Sequence, residues 1–284
     1  MTQHRWNTIA IVGPGLIGAS LGQALLRRGV VGRVVGVARR RSTLNQARQV
    51  GAITHGSTSL PRAVREAELV VVCTPVAAVA QGVQAALEHT PPQAVVTDAG
   101  SVKEPIVQAV WSACPKQATR FVPAHPLAGS HQSGPRHARA DLFQDRLAIL
   151  TPVRQNPAEA VEQVERLWQC VGARTVRLSA REHDRRMAWT SHLPHVVAAV
   201  LAGTVPPRWN DFTGTGYRDT TRLAAGEVEL WVQILTENAP QVQRALEQFE
   251  KQLQQWLRAV RRRDARALGR LLQQAKRRRD AVGN

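Results

Sequence analysis

The chain has 284 residues, 43% of them apolar, which is enough to bury the core of one large domain or two ordinary ones and too apolar for wholesale disorder. Thirty-eight Lys and Arg against 21 Asp and Glu leave a formal charge of +17, so phosphate- or carboxylate-bearing partners are favoured and nucleic acid has to be weighed. Three cysteines (Cys73, Cys114, Cys170), with no CxxC and no histidine at ligand spacing, imply neither a disulfide framework nor a metal site.

The first predicted element is a strand. TIAIVG (8–13) is a short apolar run that stops at glycine, and the following LIGASLGQALLRRG has helical spacing and closes at Gly29, which together predict strand, turn and helix. Four glycines and a proline interrupt the stretch, no basic segment of any weight precedes it and no cleavage-like site follows. Neither a membrane span nor a leader peptide is expected, and a cytoplasmic enzyme is the default. Gly13, Gly15 and Gly18 form G-x-G-x-x-G at the turn: the first for its tightness, the second for close approach of a pyrophosphate, the third for packing of helix on strand. The helix N-terminus, with Leu16 and Ile17 in its first turn, offers free amides and a positive dipole end to phosphate.

The next strand, RVVGVA (33–38), ends about 20 residues after the third glycine, where an NAD site places an acid for the ribose 2′-hydroxyl. Here that position is Ala38, followed by Arg39, Arg40 and Arg41. Nothing repels a 2′-phosphate and three forked donors suit it, so NADP is the expected cofactor, with NAD the weaker possibility. Arg39 and Arg40 are the better placed, since Arg41 can point away; a solvated basic turn is the alternative reading.

Helical stretches STLNQARQVGA and VAAVAQGVQAALEHT alternate with apolar runs LVVVCTP (69–75), AVVTDAG (94–100), FVPAHP (121–126) and LAILTPV (147–153). Continuously apolar strands alternating with helices predict an α/β Rossmann-type domain with a mostly parallel sheet covered on both faces. Thr74 and Pro75, at the end of the third run, complete the candidate cofactor set. A helix at 157–171 still belongs to this domain, and a boundary falls near RTVRLSA (174–180), giving domains 1–178 and 179–284. The second half has helical periodicity throughout and predicts an all-α domain. Its tail holds eleven Lys or Arg from Lys251 to Arg279 against one acid, Asp264.

Five motifs in this order, GPGLIGAS, TDAGSVK, AHPLAGSHQSG, SHLPH and TGYRDTTRLA, resemble the prephenate/arogenate dehydrogenases of tyrosine biosynthesis, the TyrA family, over roughly residues 8 to 256. The resemblance implies a helical dimerisation domain, a homodimer formed through it, and NAD(P)-dependent oxidative decarboxylation of a cyclohexadienol, prephenate or arogenate. That chemistry needs a neutral imidazole near the substrate hydroxyl. His125, at a predicted strand end on the cofactor side, is the candidate, and by resemblance it is the family's catalytic histidine. Ser101 matches a serine that could hydrogen-bond that histidine or the reacting oxygen; as a bare loop serine it would only shape a turn.

His192 and His195 share a helix face that Pro194 must bend or loosen, and are either a site wall or satisfied core residues. The resemblance assigns substrate binding to His195 first and His192 second, to Arg222 as the carboxylate clamp, to Asp219 as its orienter, and to Arg218 and Trp231. Where several family members carry an acid, this chain has His131, which leaves the choice between prephenate and arogenate open. The resemblance reaches no ACT domain and no chorismate mutase segment, so tyrosine feedback through such a domain is not expected. Two rivals remain: another NADP-dependent dehydrogenase of the β-hydroxyacid or imine-reductase type, and a nucleic-acid-binding protein using the basic tail. Leu, Ala and Val recur at helical spacing between the tail's charges, so a solvated face of a packed helix is the simpler reading and nucleic acid is the less favoured partner.

Overall fold

The structure, a computed structural model, describes residues 6–130 and 132–283. Five parallel strands form the main sheet: β1 (Trp6–Val12), β2 (Val31–Val37), β3 (His55–Ser57), β4 (Leu69–Val72) and β5 (Val95–Asp98), in the order β3-β2-β1-β4-β5. The connecting helices are α1 (Leu16–Arg27), α2 (Arg41–Gln49), α3 (Leu60–Val64) and α4 (Val76–His89), with α5 (Glu104–Ala113) after the last strand. Alternate residues of β1 enter two different cores, as a sheet buried on both faces requires. Ile9 and Ile11 pack with Leu21 and Leu25 of α1, whereas Ala10 and Val12 pack with Val79 and Val83 of α4 and Val110 of α5.

After the short α6 (Pro115–Ala118) the sheet changes character. β6 (Ala124–Pro126) runs antiparallel to β7 (Leu147–Leu150), which pairs in parallel with β8 (Arg174–Arg177), and α7 (Ala158–Cys170) packs its Leu167 and Trp168 into the first core. Among the described residues the backbone bridge between β5 and the chain leading into this smaller sheet pairs Val96 with Phe121. The sheet is thus mostly parallel, as expected, with one antiparallel pair. Two strands have no apolar run to announce them. β3 is the three-residue segment HGS, and β8, RTVR, lies where the sequence suggested only a boundary.

The second half is helical. α8 (Ala180–Met187), a π turn (Ala188–His192) and α9 (Leu193–Thr204) form a continuous rod. Pro194 lacks an N–H and crowds the turn before it, and the widened π turn directly upstream absorbs the mismatch. α10 (Thr215–Thr221), a short 3₁₀ turn (Arg222–Ala225), α11 (Val228–Glu237), α12 (Ala239–Arg261) and α13 (Ala265–Asp280) follow. The buried cluster belonging to these helices alone is small: Ala188, Val242 and Ala245. Ile234 and Trp231 of α11 pack instead against the α4 face of the first half, and Gln233 Oε1 accepts the Ala77 N–H (3.3 Å). α13 packs on α12 without burying a residue fully, and the α12 part of the basic tail buries Ala259, so the charges of the tail lie mainly on solvent-facing sides of these helices. No helix among the described residues is long and apolar enough to cross a membrane.

Candidate active site

The glycine turn lies where the strand order reverses, between β1 and β4. Gly13 has φ +84°, and a Cβ there would sit 2.9 Å from the Cys73 carbonyl oxygen, so only glycine fits. A Cβ at Gly18 would lie 2.6 Å from Gly13 O and 2.8 Å from Ile11 Cγ2, the close helix-on-strand packing expected of the third glycine. Gly15, by contrast, has no atom within 4 Å of such a Cβ: the second glycine faces open space at the start of α1, whose first amides no side chain caps. That cradle fits a pyrophosphate. Thr74 and Pro75 form the facing wall at the start of α4, and Thr74 Oγ1 is buried without a hydrogen-bond partner.

The Gly13 N–H donates to Val37 O (2.9 Å), so the chain carrying Ala38 to Arg41 begins beside the glycine turn. Arg39, Arg40 and Arg41 are all exposed, and none forms an ion pair among the described residues. Arg40 is the N-cap of α2 and Arg41 its first residue, with no acid in the first turn. Cations at a helix N-terminus are unfavourable, so the cluster does not stabilise its own helix.

His125 lies in the middle of β6, with solvent reaching only part of its ring. Its Nδ1 is 2.8 Å from His183 Nε2, and His183 Nδ1 is 2.7 Å from Asp184 Oδ1. Asp184 also accepts the backbone N–H groups of Lys103 (2.8 Å) and Glu104 (2.7 Å), which ties α8 to the N-terminus of α5. Beneath this row is a fully buried ion pair, Lys103 with Asp98, both 0% exposed. Asp98 Oδ1 accepts the Ala124 N–H (3.1 Å), Asp98 Oδ2 accepts the Gly100 N–H (2.9 Å), and Lys103 Nζ donates to Ala124 O (2.9 Å). Thr151 N to Pro123 O and Leu127 N to Leu147 O put the β6–β7 ladder bonds on residues 123, 125 and 127, so the polar groups of Ala124 point away from β7 toward the ion pair. The pair stands in for the missing β5–β6 ladder and fixes the backbone next to His125.

Electrostatics keep the histidines neutral. Burial, then His183, Lys103 and His192, hold His125 well below the ordinary value. Burial, then the same lysine and His192, bring His183 to about 3. Burial lowers His192 to about 4 against the opposing pull of Asp184. The buried Asp184 carboxyl is pushed up, and the two backbone amides and the Lys103 charge work against that rise.

His195 stacks on Trp231 (centroids 3.6 Å apart, 12° between planes) and His192 meets the same indole edge-on (6.1 Å). His192 is 2% exposed, and the Asn238 amide spans from its Nδ1 (3.2 Å) to the Asp184 carbonyl (2.8 Å). His195 is buried, burial lowers its imidazole from the ordinary value, and its Nδ1 has no hydrogen-bond partner among the described residues. Gly226 closes over the stack: a Cβ there would be 2.6 Å from Trp231 Nε1 and 3.0 Å from His195 Cε1. Among the described residues no group of three His, Cys, Asp or Glu could hold a metal ion.

Two models of one family cover both halves: the prephenate dehydrogenase nucleotide-binding domain matches residues 21–177, and the prephenate dehydrogenase dimerization domain matches residues 179–274. The chain belongs to the prephenate dehydrogenase family. Cyclohexadienyl dehydrogenase of Zymomonas mobilis is 34% identical to it over 259 residues, 89% of this chain and 88% of that protein. The crystal structure of prephenate dehydrogenase from A. aeolicus in complex with hydroxyphenyl propionate and NAD+ superposes with a TM-score of 0.89 at 29% identity, covering 97% of this chain and 98% of that one. Synechocystis arogenate dehydrogenase gives 0.83 at 29%, covering 97% and 99%. A family member of this kind is an oxidoreductase that uses a nicotinamide cofactor, consistent with the cradle at Gly15.

Not every residue singled out from the sequence meets the others. His125, His192, His195 and Trp231 share one connected neighbourhood through His183, Asp184 and Asn238. No hydrogen bond joins Ser101 to His125 among the described residues; the ring nitrogen of His125 that is bonded, Nδ1, meets His183. Arg218, Asp219 and Arg222 are exposed, and no ion pair links Asp219 to either arginine among the described residues. Their segment packs on α9 and leads into Gly226 above the His195–Trp231 stack. His131 lies outside the described residues. Sequence reasoning missed His183, Asp184, Asn238 and the Lys103–Asp98 pair.

Proposed function

We propose that the protein catalyses NADP-dependent oxidative decarboxylation of prephenate, arogenate or both, giving 4-hydroxyphenylpyruvate or tyrosine, with NAD the weaker cofactor. The observation that carries this reading is a buried imidazole, His125, bonded at Nδ1 to His183 and held next to the end of β5 by the Ala124–Asp98 bond, in a chain that belongs to this family. Gly13, Gly15 and Gly18, the amides of Leu16 and Ile17, and Thr74 and Pro75 hold the dinucleotide, and Arg39 and Arg40, with Arg41, take its 2′-phosphate. When bound, the nicotinamide accepts the hydride from substrate C4. His125 takes the proton of the C4 hydroxyl, the bond from the ring to its carboxylate breaks with loss of carbon dioxide, and the proton returns to the phenolate oxygen as the ring becomes aromatic.

Arg222 and Arg218, exposed and without an ion pair among the described residues, are the cations for the substrate carboxylates, with Asp219 beside them. His195, with its unpartnered Nδ1, and Trp231 form the wall against which the ring lies, with His192 behind them and Ser101 on the loop after β5. His131 belongs to the same substrate set by sequence. The domains divide at 178/179, and the exposed Val200, Phe212, Val228 and Val232 of the helical half support a homodimer through that half.

A two-by-two assay of prephenate and arogenate against NADP and NAD tests the whole reading. We expect reduction of NADP with at least one substrate and a lower kcat/KM with NAD; no reduction in any of the four mixtures rejects it. In the active combination, His125→Asn should lower kcat by ~10²-fold or more. A change confined to KM would move His125 from catalysis to binding.

A further inference from the structure

We propose that His183 and Asp184 are positioning residues that hold the proton of His125 on Nδ1 and so leave Nε2 as the base. The inference rests on the reading of His125 as general base and extends it to the two residues in line behind its Nδ1. The argument is one of donors and acceptors counted along a row. Asp184 already accepts two backbone N–H groups, from Lys103 and Glu104, and an ionised carboxylate can only accept. The hydrogen between Asp184 Oδ1 and His183 Nδ1, 2.7 Å apart, therefore belongs to His183. A neutral imidazole carries one hydrogen, so His183 Nε2 presents a lone pair. His125 Nδ1, 2.8 Å away, must then donate, and the remaining nitrogen of His125 is free of its proton.

The reverse assignment fails on the same count. Were His183 to donate from Nε2, its Nδ1 lone pair would face the Asp184 carboxylate at 2.7 Å. The groups facing this row come from every neighbouring element: Asp98 of β5, Lys103 before α5, His192 of the π turn, and the Asn238 amide, which fixes the Asp184 carbonyl. Once His125 gains a proton at Nε2, its Nδ1–H bond to His183 is unchanged, so no reorganisation accompanies the step. The carboxylate at the far end of the row favours the resulting cation.

The test is nitrogen-15 NMR of the histidine rings in the full chain, with His125 assigned from the signals lost in His125→Asn. The expected spectrum shows the Nδ1–H tautomer for His125; an Nε2–H ring, or exchange between both forms, overturns the proposal. Two variants add function. In His183→Leu the acceptor is gone, and we expect mixed tautomers and a kcat lower by ~10²–10⁴-fold with NADP affinity unchanged. In His183→Gln the carboxamide oxygen reaches about as far as the imidazole nitrogen, so the Nδ1–H tautomer and most of kcat should return. Leucine with the wild-type tautomer and rate, or glutamine no better than leucine, refutes the role. If the leucine variant does not fold, the wild-type spectrum and the glutamine variant decide. An Nδ1–H ring in a protein inactive on both substrates would reject the proposed function while leaving the tautomer assignment standing.

Discussion

Replacing Lys103 with methionine keeps the side-chain volume and removes one charge from a pair that solvent does not reach. The Asp98 carboxylate then stays buried with only the Gly100 and Ala124 amides as donors, and Ala124 O loses its partner. Breaking a buried pair on one side costs about 3–5 kcal/mol. Unfolding entropy of ~2.1 cal/mol/K per residue gives about 0.6 kcal/mol/K for a chain of 284 residues, so the melting temperature should fall by roughly 5–8 °C. Many buried pairs can be exchanged for apolar side chains at no loss. This one serves three backbone groups, and Lys103→Met with Asp98→Leu strands all three at ~1–3 kcal/mol each, against ~2–3 kcal/mol from added apolar burial. The double variant should therefore still melt below the wild type. Scanning calorimetry of wild type, K103M and K103M/D98L reads this directly. A K103M shift below ~2 °C, or a double variant restored to the wild-type melting temperature, would refute the claim that the pair replaces a missing ladder.

Other outcomes follow from the same geometry. Gly226→Ala drives a methyl into the His195–Trp231 stack, so substrate KM should rise about tenfold or more while NADP affinity holds; equal losses in both would point to misfolding. Arg39→Glu with Arg40→Ser should raise KM for NADP by ~10–100-fold, as expected for losing charge-assisted bonds of about 1.5–3 kcal/mol, and bring NAD to parity or better. Unmodified protein that already uses both cofactors equally would count against it. Burial lowers His125, His183 and His192 from an ordinary value of 6.5, His183 to about 3 and His192 to about 4. Their unfolded rings bind protons first as pH falls, so stability drops below about pH 6.5, with a slope approaching ~1.4 kcal/mol per pH unit for each histidine. Urea unfolding between about pH 5 and 6.5 measures it, and a flat profile would mean that these rings take up protons as readily in the folded protein as in the unfolded chain.

The parts of this molecule that could be read in advance are those where one backbone demand leaves one residue type. Gly13, Gly15 and Gly18 are such positions, and each plays the distinct part that the turn requires. The apolar runs of β1, β2, β4 and β5 are legible because both faces are buried. β3 and β8 are edge strands with half-wet faces, so their sequences lack that signal. The antiparallel direction of β6 is set by packing, which no local pattern encodes. His183 and Asp184 sit in REHDRRMAW, where neighbouring Arg185 and Arg186 bind Glu182 on the solvent side and give the segment the look of a wet helix face. The available signal was the adjacency itself: a His-Asp pair on the helix that leads into a second histidine pair.

The helices after residue 179 have an interior of their own made from Ala188, Val242 and Ala245, while Phe212, Val228 and Val282 stand largely bare. So little private core cannot offset the conformational entropy of ordering a hundred residues. Cut from the sheet that α11 leans on, this half would behave as a sticky, loosely ordered fragment. Deletion mapping of the gene would then report the loss of that support, whatever chemistry the deleted stretch performs.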